Sequence, residues 1–92
     1  MKPPEYIDDA KVLHWAFSGS EPFGLINYSD GSIAAEIFGL AICQYEGESK
    51  VYRFSCDKNW ESEQDADYNS VEEAMNNIPI QYQGQEIKWH DA

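Results

Sequence analysis

The sequence predicts a small α+β domain, and three features of the chain lead to this prediction. Its 92 residues suit one domain with one small core. Two runs of β-branched, aromatic and aliphatic residues enclose a short polar segment with Gly47, which is typical of a β-hairpin. Apolar residues recur at helical spacing over about residues 71–78. We therefore expect an antiparallel sheet of about four or five strands, with the hairpin 37–56 at its centre and the short helix packed on one face.

The first third of the chain predicts an arm followed by three strands. Residues 1–10 contain two prolines and three acids, so we expect a flexible N-terminal arm, followed by a single globular domain over residues 11–92. Apolar and polar side chains alternate over residues 11–18, which predicts the first strand. A short apolar run at residues 23–28 leads into the turn sequence Ser-Asp-Gly-Ser at 29–32, which predicts a second and third strand joined by a hairpin.

Residues 33–40 fit either a strand or a helix. Ile33, Ile37 and Leu40 could form a helical stripe behind a cap at Ser32. We predict a strand, because Gly39 is unfavourable in a helix interior and the run leads into the hairpin without a stop signal.

The central hairpin allows two registers. In one, Ile42 lies opposite Phe54; in the other, which has a two-residue turn at 47–48, Ala41 lies opposite Phe54. We predict the first register, because it gathers the large apolar side chains on one face. A slip of one residue would turn half of them towards water.

The chain becomes strongly acidic after the hairpin. Residues 57–73 carry seven acids against Lys58 alone, which predicts a solvated loop held to the core by Trp60 and Tyr68. Ser70 and Glu73 have the spacing of a capping box at the start of the predicted helix.

The last fifteen residues predict the end of the helix and one further strand. Pro79 should end the helix, since proline lacks the N–H that a helix interior needs. Alternating apolar and polar residues at about 86–90 then predict a final strand.

The charge and the cysteines limit the classes of partner and compartment. A formal net charge of −11 opposes binding to nucleic acid or an anionic membrane and favours a basic protein partner. Cys43 and Cys56 are out of alignment in either register, so we expect free buried thiols and a reducing compartment. The sequence has no apolar run long enough for a signal peptide or a membrane span, so we predict a cytoplasmic protein.

The sequence contains no motif that specifies a reaction, so we predict neither an enzyme nor a cofactor. The acidic loop has oxygen ligands at alternate positions, as in a calcium loop, but the glycine and glutamate that such a loop requires are replaced by Ser62 and Tyr68. Its weak candidates for metal ligands are Asp57, Asn59, Glu61, Glu63 and Asp65.

Aromatic residues beside acids are the most informative functional feature of the sequence. They are typical of a surface that binds a basic protein, because aromatics supply contact area and acids steer the encounter. The predicted partner-binding residues are Trp60, Glu61, Glu63, Asp65, Asp67 and Tyr68.

In size, charge and lack of catalytic motifs the chain is similar to the small acidic immunity proteins with which bacteria neutralise toxins. This resemblance covers no defined motif, and it implies an inhibitor-like binding function without assigning it to residues. Two alternatives are a structural or housekeeping domain whose acidity serves solubility only, and a domain that binds a metal or small ligand through loop 57–67.

Overall fold

The computed structural model describes all 92 residues and is mostly antiparallel sheet, with 43% of the chain in strands and one short helix. This composition fits the predicted small α+β fold, although the sheet is strongly curled. The strands are β1 Tyr6–Ile7, β2 Ala10–Phe17, β3 Gly24–Asn27, β4 Ile33–Ile37, β5 Gly39–Gln44, β6 Val51–Cys56, β7 Ser62–Tyr68 and β8 His90–Asp91. The α-helix, α1, is Val71–Asn76, and a 3-10 helix follows at Ile80–Tyr82.

The main sheet has the strand order β1-β2-β5-β6-β7, and β8 also pairs with β2. The predicted hairpin therefore corresponds to β5 and β6 at the centre of the sheet. Strands β3 and β4 form a separate two-stranded sheet. No helix of the fold has the length and the apolar character that crossing a bilayer requires.

The predicted register of the central hairpin is wrong. Ala41 lies opposite Phe54 and Ile42 lies opposite Arg53, which is the second of the two registers that the sequence allows. The predicted register requires a sheet with one buried face, but five of the six residues of β5 are buried and they alternate between both faces. The position of apolar residues determines the register only when one face of the strand is buried and the other is exposed to solvent. Both faces of β5 are buried, so the apolar pattern does not determine its register.

The strand prediction for residues 33–40 is confirmed, with a break at Phe38. The Ser-Asp-Gly-Ser turn before it also forms, with Gly31 at φ +90° and the Tyr28 N–H donating to the Ser32 carbonyl at 2.8 Å. At the break the chain passes from the small sheet to the main one. Phe38 donates its N–H to the Cys56 carbonyl at 2.9 Å, and the Ile37 carbonyl accepts from Phe23 at 2.7 Å.

The segment 1–10 is partly tied to the sheet. Tyr6–Ile7 pairs with the start of β2, and Ile7 is buried in the core. Asp8 and Asp9 form the tight turn between the two strands, with φ values of +49° and +68°. The mobility that we predict for this arm remains a prediction.

The acidic segment contains a strand where we predicted a solvated loop. Ser62–Tyr68 pairs with β6, with a register shift at Glu63, which lies between the Ser62–Cys56 and Gln64–Ser55 pairs. Asp65 and Asp67 are exposed on one side of the strand, while Ala66 and Tyr68 are half-buried on the opposite side. The period of two was present in the sequence, but the high charge concealed it, because acids are depleted from strands in general.

The helix begins as predicted and ends earlier. Ser70 Oγ accepts the Glu73 N–H at 3.0 Å, and the Glu73 carboxylate reaches back to the Asn69 N–H at 3.1 Å. The helix ends at Asn76 rather than 78. The last strand is also shorter than predicted, since it comprises only His90–Asp91, and Lys88 and Trp89 precede it without strand pairing.

The two faces of the main sheet carry separate cores. One face holds a cluster that comprises Ile7, Ala10, Val12, Ala41, Cys43, Phe54, Cys56 and Trp60. The other face lies under α1, the 3-10 helix and the small sheet, and its clusters comprise Ala16, Phe23, Ile37, Leu40 and Tyr82, and Ile42, Val51 and Ala74. Tyr45 and Tyr52 are half-buried at the margin of the first cluster.

Arg53 is a charged side chain that is buried on the second face of the main sheet, where it is 2% exposed. Its guanidinium donates to Tyr68 Oη at 2.9 Å and to Ser55 Oγ at 3.2 Å, and it lies 5.6 Å from the centroid of the Tyr82 ring. These two hydrogen bonds satisfy part of the hydrogen-bonding capacity of the guanidinium. The burial of Arg53 also removes one cation from the surface of a very acidic protein.

Candidate functional site

The two aromatic residues that we predicted for partner binding lie in different places. Trp60 is 6% exposed and packs in the first core cluster, with its ring centroid 6.2 Å from that of Trp15 and 5.8 Å from that of Phe17. Tyr68 packs against the opposite face of the sheet, where it accepts the hydrogen bond from Arg53. Both residues anchor the acidic segment to the core, as expected, but they do not form one exposed patch.

Two of the predicted acids of β7 share one surface. Glu63, Asp65 and Asp67 are all exposed. The register places Asp67 opposite Tyr52 and Asp65 opposite Phe54, so these two acids project on the same side of the sheet as those two aromatics. Glu63 lies at the register shift and has no partner on β6.

The remaining residues of the acidic segment shape the turn between β6 and β7. One oxygen of Asp57, Oδ1, accepts the N–H groups of Asn59 at 2.8 Å and Glu61 at 3.0 Å. That carboxylate is thus used by the turn, while Asn59 and Glu61 contribute backbone groups to it. No cluster of three or more His, Cys, Asp or Glu side chains is arranged to hold a metal ion, and this includes the candidates in Asp57–Asp65.

Sequence reasoning missed a pair of tyrosines beside the β7 acids. Tyr45 follows β5 and Tyr52 lies in β6, and their rings meet edge to face with centroids 5.2 Å apart. Tyr52 Oη donates to Glu48 Oε1 at 3.0 Å, and the Tyr52 ring stacks over Phe54 at 6.5 Å. The pair is therefore held in a fixed orientation by the core on one side and by the hairpin turn on the other.

Acids from three separate segments lie near Tyr45. Partial burial raises the pKa of Tyr45, and the negative charges of Asp8, Asp65, Glu48 and Asp9 raise it further. Asp8 and Asp9 come from the β1–β2 turn, Glu48 from the hairpin turn, and Asp65 from β7. We call this group, Tyr45, Tyr52, Asp8, Asp9, Glu48 and Asp65, the acidic tyrosine surface.

An open groove of about 450 Å³ adjoins this surface beside Tyr45. Asp9, Glu46 and Glu48 line it together with a single cation, Lys11. The pairing of Lys11 with Gln44 brings the β1–β2 turn alongside the end of β5 and so forms the groove. Its charge suits the side chain of a lysine or arginine from another molecule.

The thiols do not offer a catalytic nucleophile. Cys43 and Cys56 are both free and buried. Burial, with a smaller contribution from Asp8, raises the pKa of Cys43 to about 12, and burial also raises the pKa of Cys56. Both groups are protonated at neutral pH, and a protonated thiol is a poor nucleophile.

Comparison of the chain with protein-family models, with curated proteins and with solved structures gives no match.

Proposed function

We propose that this protein is a non-enzymatic binding module that recognises a basic protein through the acidic tyrosine surface. The observation that carries the proposal is the convergence of Asp8, Asp9, Glu48 and Asp65 around Tyr45, whose ring meets that of Tyr52 edge to face. Tyrosines supply much of the contact energy in protein interfaces, and surrounding acids accelerate encounter with a partner of opposite charge.

The acids of this surface lack cationic partners within the chain. The ion pairs of the structure join His14 to Asp91 and Lys50 to Asp67, so Asp8, Asp9, Glu48 and Asp65 remain unpaired with a cation. Arg53 is buried on the opposite face and cannot neutralise them. Their negative potential is therefore available to a partner.

The residues that the sequence predicts for partner binding have different roles in this proposed binding surface. Asp65 belongs to the surface, Asp67 extends it along β7, and Glu63 lies at the register shift near the start of the strand. Trp60 and Tyr68 support the strand from the core, and Glu61 lies in the turn before it. We place the module in the cytoplasm, where two free thiols would stay reduced. Recovery of the protein from a secreted fraction of its source cells would contradict that location.

The test uses the wild-type chain and two variants as bait for proteins from the source organism. D8N/D9N/D65N removes three charges from the acidic tyrosine surface, and E21Q/E36Q/E86Q removes three exposed charges elsewhere. A retained protein is then purified and titrated against each bait by calorimetry at several salt concentrations.

We expect a basic protein that binds one-to-one, with an affinity that falls as salt rises. The surface variant should bind it about ten-fold more weakly or worse, whereas the matched control should stay within about two-fold of wild type. Equal loss in both variants would mean that net charge alone acts, and no loss in either would remove this surface from the binding site.

A further inference from the structure

The outer edge of β7 is open. β7 is the last strand of the main sheet, and it pairs with β6 alone. None of the backbone hydrogen bonds outside the regular ladders involves residues Ser62–Tyr68. In a strand paired on one side only, every second residue directs its N–H and C=O away from the sheet, where they can template another strand.

The charge of this edge determines which strand it can accept. Glu63 and Asp65 are exposed and have no cationic partner, while Asp67 is paired with Lys50 at 2.8 Å. Asp65 projects on the face of Tyr52 and Phe54, and Glu63 lies at the register shift nearer the start of the strand. A second copy of this chain would bring the same acids opposite these, and like charges at facing positions destabilise a sheet. A strand with lysine or arginine at alternate positions would instead place cations opposite the acids.

We infer that the basic partner binds by adding an extended segment to the outer edge of β7, with its cationic side chains beside Asp65 and Glu63. This inference rests on the proposed function and specifies the part of the partner that is recognised. The backbone ladder would supply affinity and the alternate acids would supply selectivity for basic sequences.

The dimensions of the edge allow such an addition. A seven-residue strand such as β7 is about 23 Å long at about 3.3 Å per residue. An added strand would lie about 4.8 Å away, with facing Cβ atoms about 4.5–5.5 Å apart, so a lysine side chain can reach the carboxylate opposite it. The same face continues across β6 to Tyr52, so one partner can contact both the edge and the acidic tyrosine surface.

The experiment uses synthetic peptides with the wild-type protein. The probe is a labelled nine-residue peptide with lysine at every second position and threonine or valine between, followed by fluorescence anisotropy. Two further versions carry backbone N-methyl groups, either on the lysines or on the intervening residues. Their charges are identical, but an added strand turns only one of these two sets of N–H groups towards β7.

We expect the unmodified peptide to bind and one N-methylated version to lose about ten-fold or more in affinity, because it cannot form the ladder. The other version should bind like the unmodified peptide. Equal binding of all three peptides would show attraction by charge without strand addition, and would overturn the inference while leaving the proposed function intact.

A charge exchange tests the role of the acids. E63K/D65K should lose the lysine peptide and bind a peptide with glutamate in place of lysine, provided that circular dichroism shows the wild-type fold. The matched control E21K/E36K should keep the lysine peptide.

One further result would show that the acids only protect the edge. If no peptide binds to the wild type and E63Q/D65N self-associates in sedimentation, the charges prevent pairing between copies and the inference is wrong. Binding of the captured partner in the previous experiment would then still support the proposed function.

Discussion

Substitution of Gly39 by alanine should destabilise the fold through one defined contact with Trp60. A Cβ at position 39 would lie 2.5 Å from Cζ3 of the Trp60 ring and 2.8 Å and 2.9 Å from two further ring atoms. Carbon atoms in ordinary contact are about 3.5–4.0 Å apart, so the ring would have to move by about 1 Å. The ring is enclosed by Trp15 and Phe17, so this movement disturbs the whole first core cluster.

The expected cost can be estimated from two opposing effects. Overpacking of a filled core costs about 1–3 kcal/mol. Alanine in place of glycine within a strand recovers about 0.5–1 kcal/mol of backbone entropy. The two ranges leave a net loss of about 0–2.5 kcal/mol in the free energy of unfolding. A loss near the centre of this range, about 1 kcal/mol, corresponds to roughly 4–8 °C in melting temperature for a domain of this size.

The assay is a double-mutant cycle of G39A, W60L and G39A/W60L, followed by urea denaturation with circular dichroism at 222 nm. Leucine removes the ring atoms that a Cβ at position 39 would meet, so G39A should be neutral or slightly stabilising in the W60L background. The coupling energy should be about 1–3 kcal/mol. An equal effect of G39A in both backgrounds would refute the packing of Trp60 on Gly39 and the role of Trp60 as a core anchor.

Three further predictions concern the helix cap, an ion pair and the thiols. S70A should cost about 1 kcal/mol in urea melts by removing the N-cap of α1, and an unchanged midpoint would contradict the cap. The hydrogen bond and charge of Lys50 lower the pKa of Asp67 below its usual 3.8, so their contribution to stability exists above that value and disappears as the pH falls. Wild type should therefore be more stable than D67N at pH 7 and should lose that advantage progressively as the pH is lowered below 3.8; a difference independent of pH would contradict the ion pair. Cys43 and Cys56 should resist alkylation in the native state and react in urea, since both are buried and protonated; rapid native labelling detected by mass spectrometry would contradict their burial.

The sequence predicts much of this fold because its local signals agree with the tertiary structure. The Asp30-Gly31 turn, the cap at Ser70 and the extended run that forms β2 each depend on residues close together in the chain. The faces of β2 are not the predicted ones, because a register shift between Val12 and His14 separates Leu13 from Trp15 and Phe17. The register of β5 and β6 depends instead on what covers each face, and both faces of β5 are covered. A period of two cannot distinguish registers when neither face is exposed.

The position of Trp60 also depends on distant residues. Its φ of +65° is a conformation that glycine favours over other residues. Trp60 adopts it in the turn between β6 and β7, and its ring packs against Gly39 of β5. Nothing in residues 57–61 alone indicates this strain, so the local sequence only suggested a solvated loop with an anchor.

The acidic tyrosine surface was predictable only in part. Its composition, acids beside aromatics, was visible in the sequence, and Asp65 was among the predicted residues. The pairing of β1 with β2 and of β2 with β5 brings Asp8 and Asp9 to Tyr45, across more than thirty residues of chain. Such convergence follows from sheet topology and leaves no local pattern.

The measurement that tests the binding account most directly is a two-dimensional nitrogen–proton spectrum of the labelled protein titrated with the lysine peptide. We expect saturable shifts in the amides of Ser62–Tyr68 and of Tyr45 and Tyr52, with slower amide exchange along β7 in the complex. Shifts confined to the β3–β4 sheet, or none at any peptide concentration, would contradict both the acidic surface and the open edge as sites of recognition.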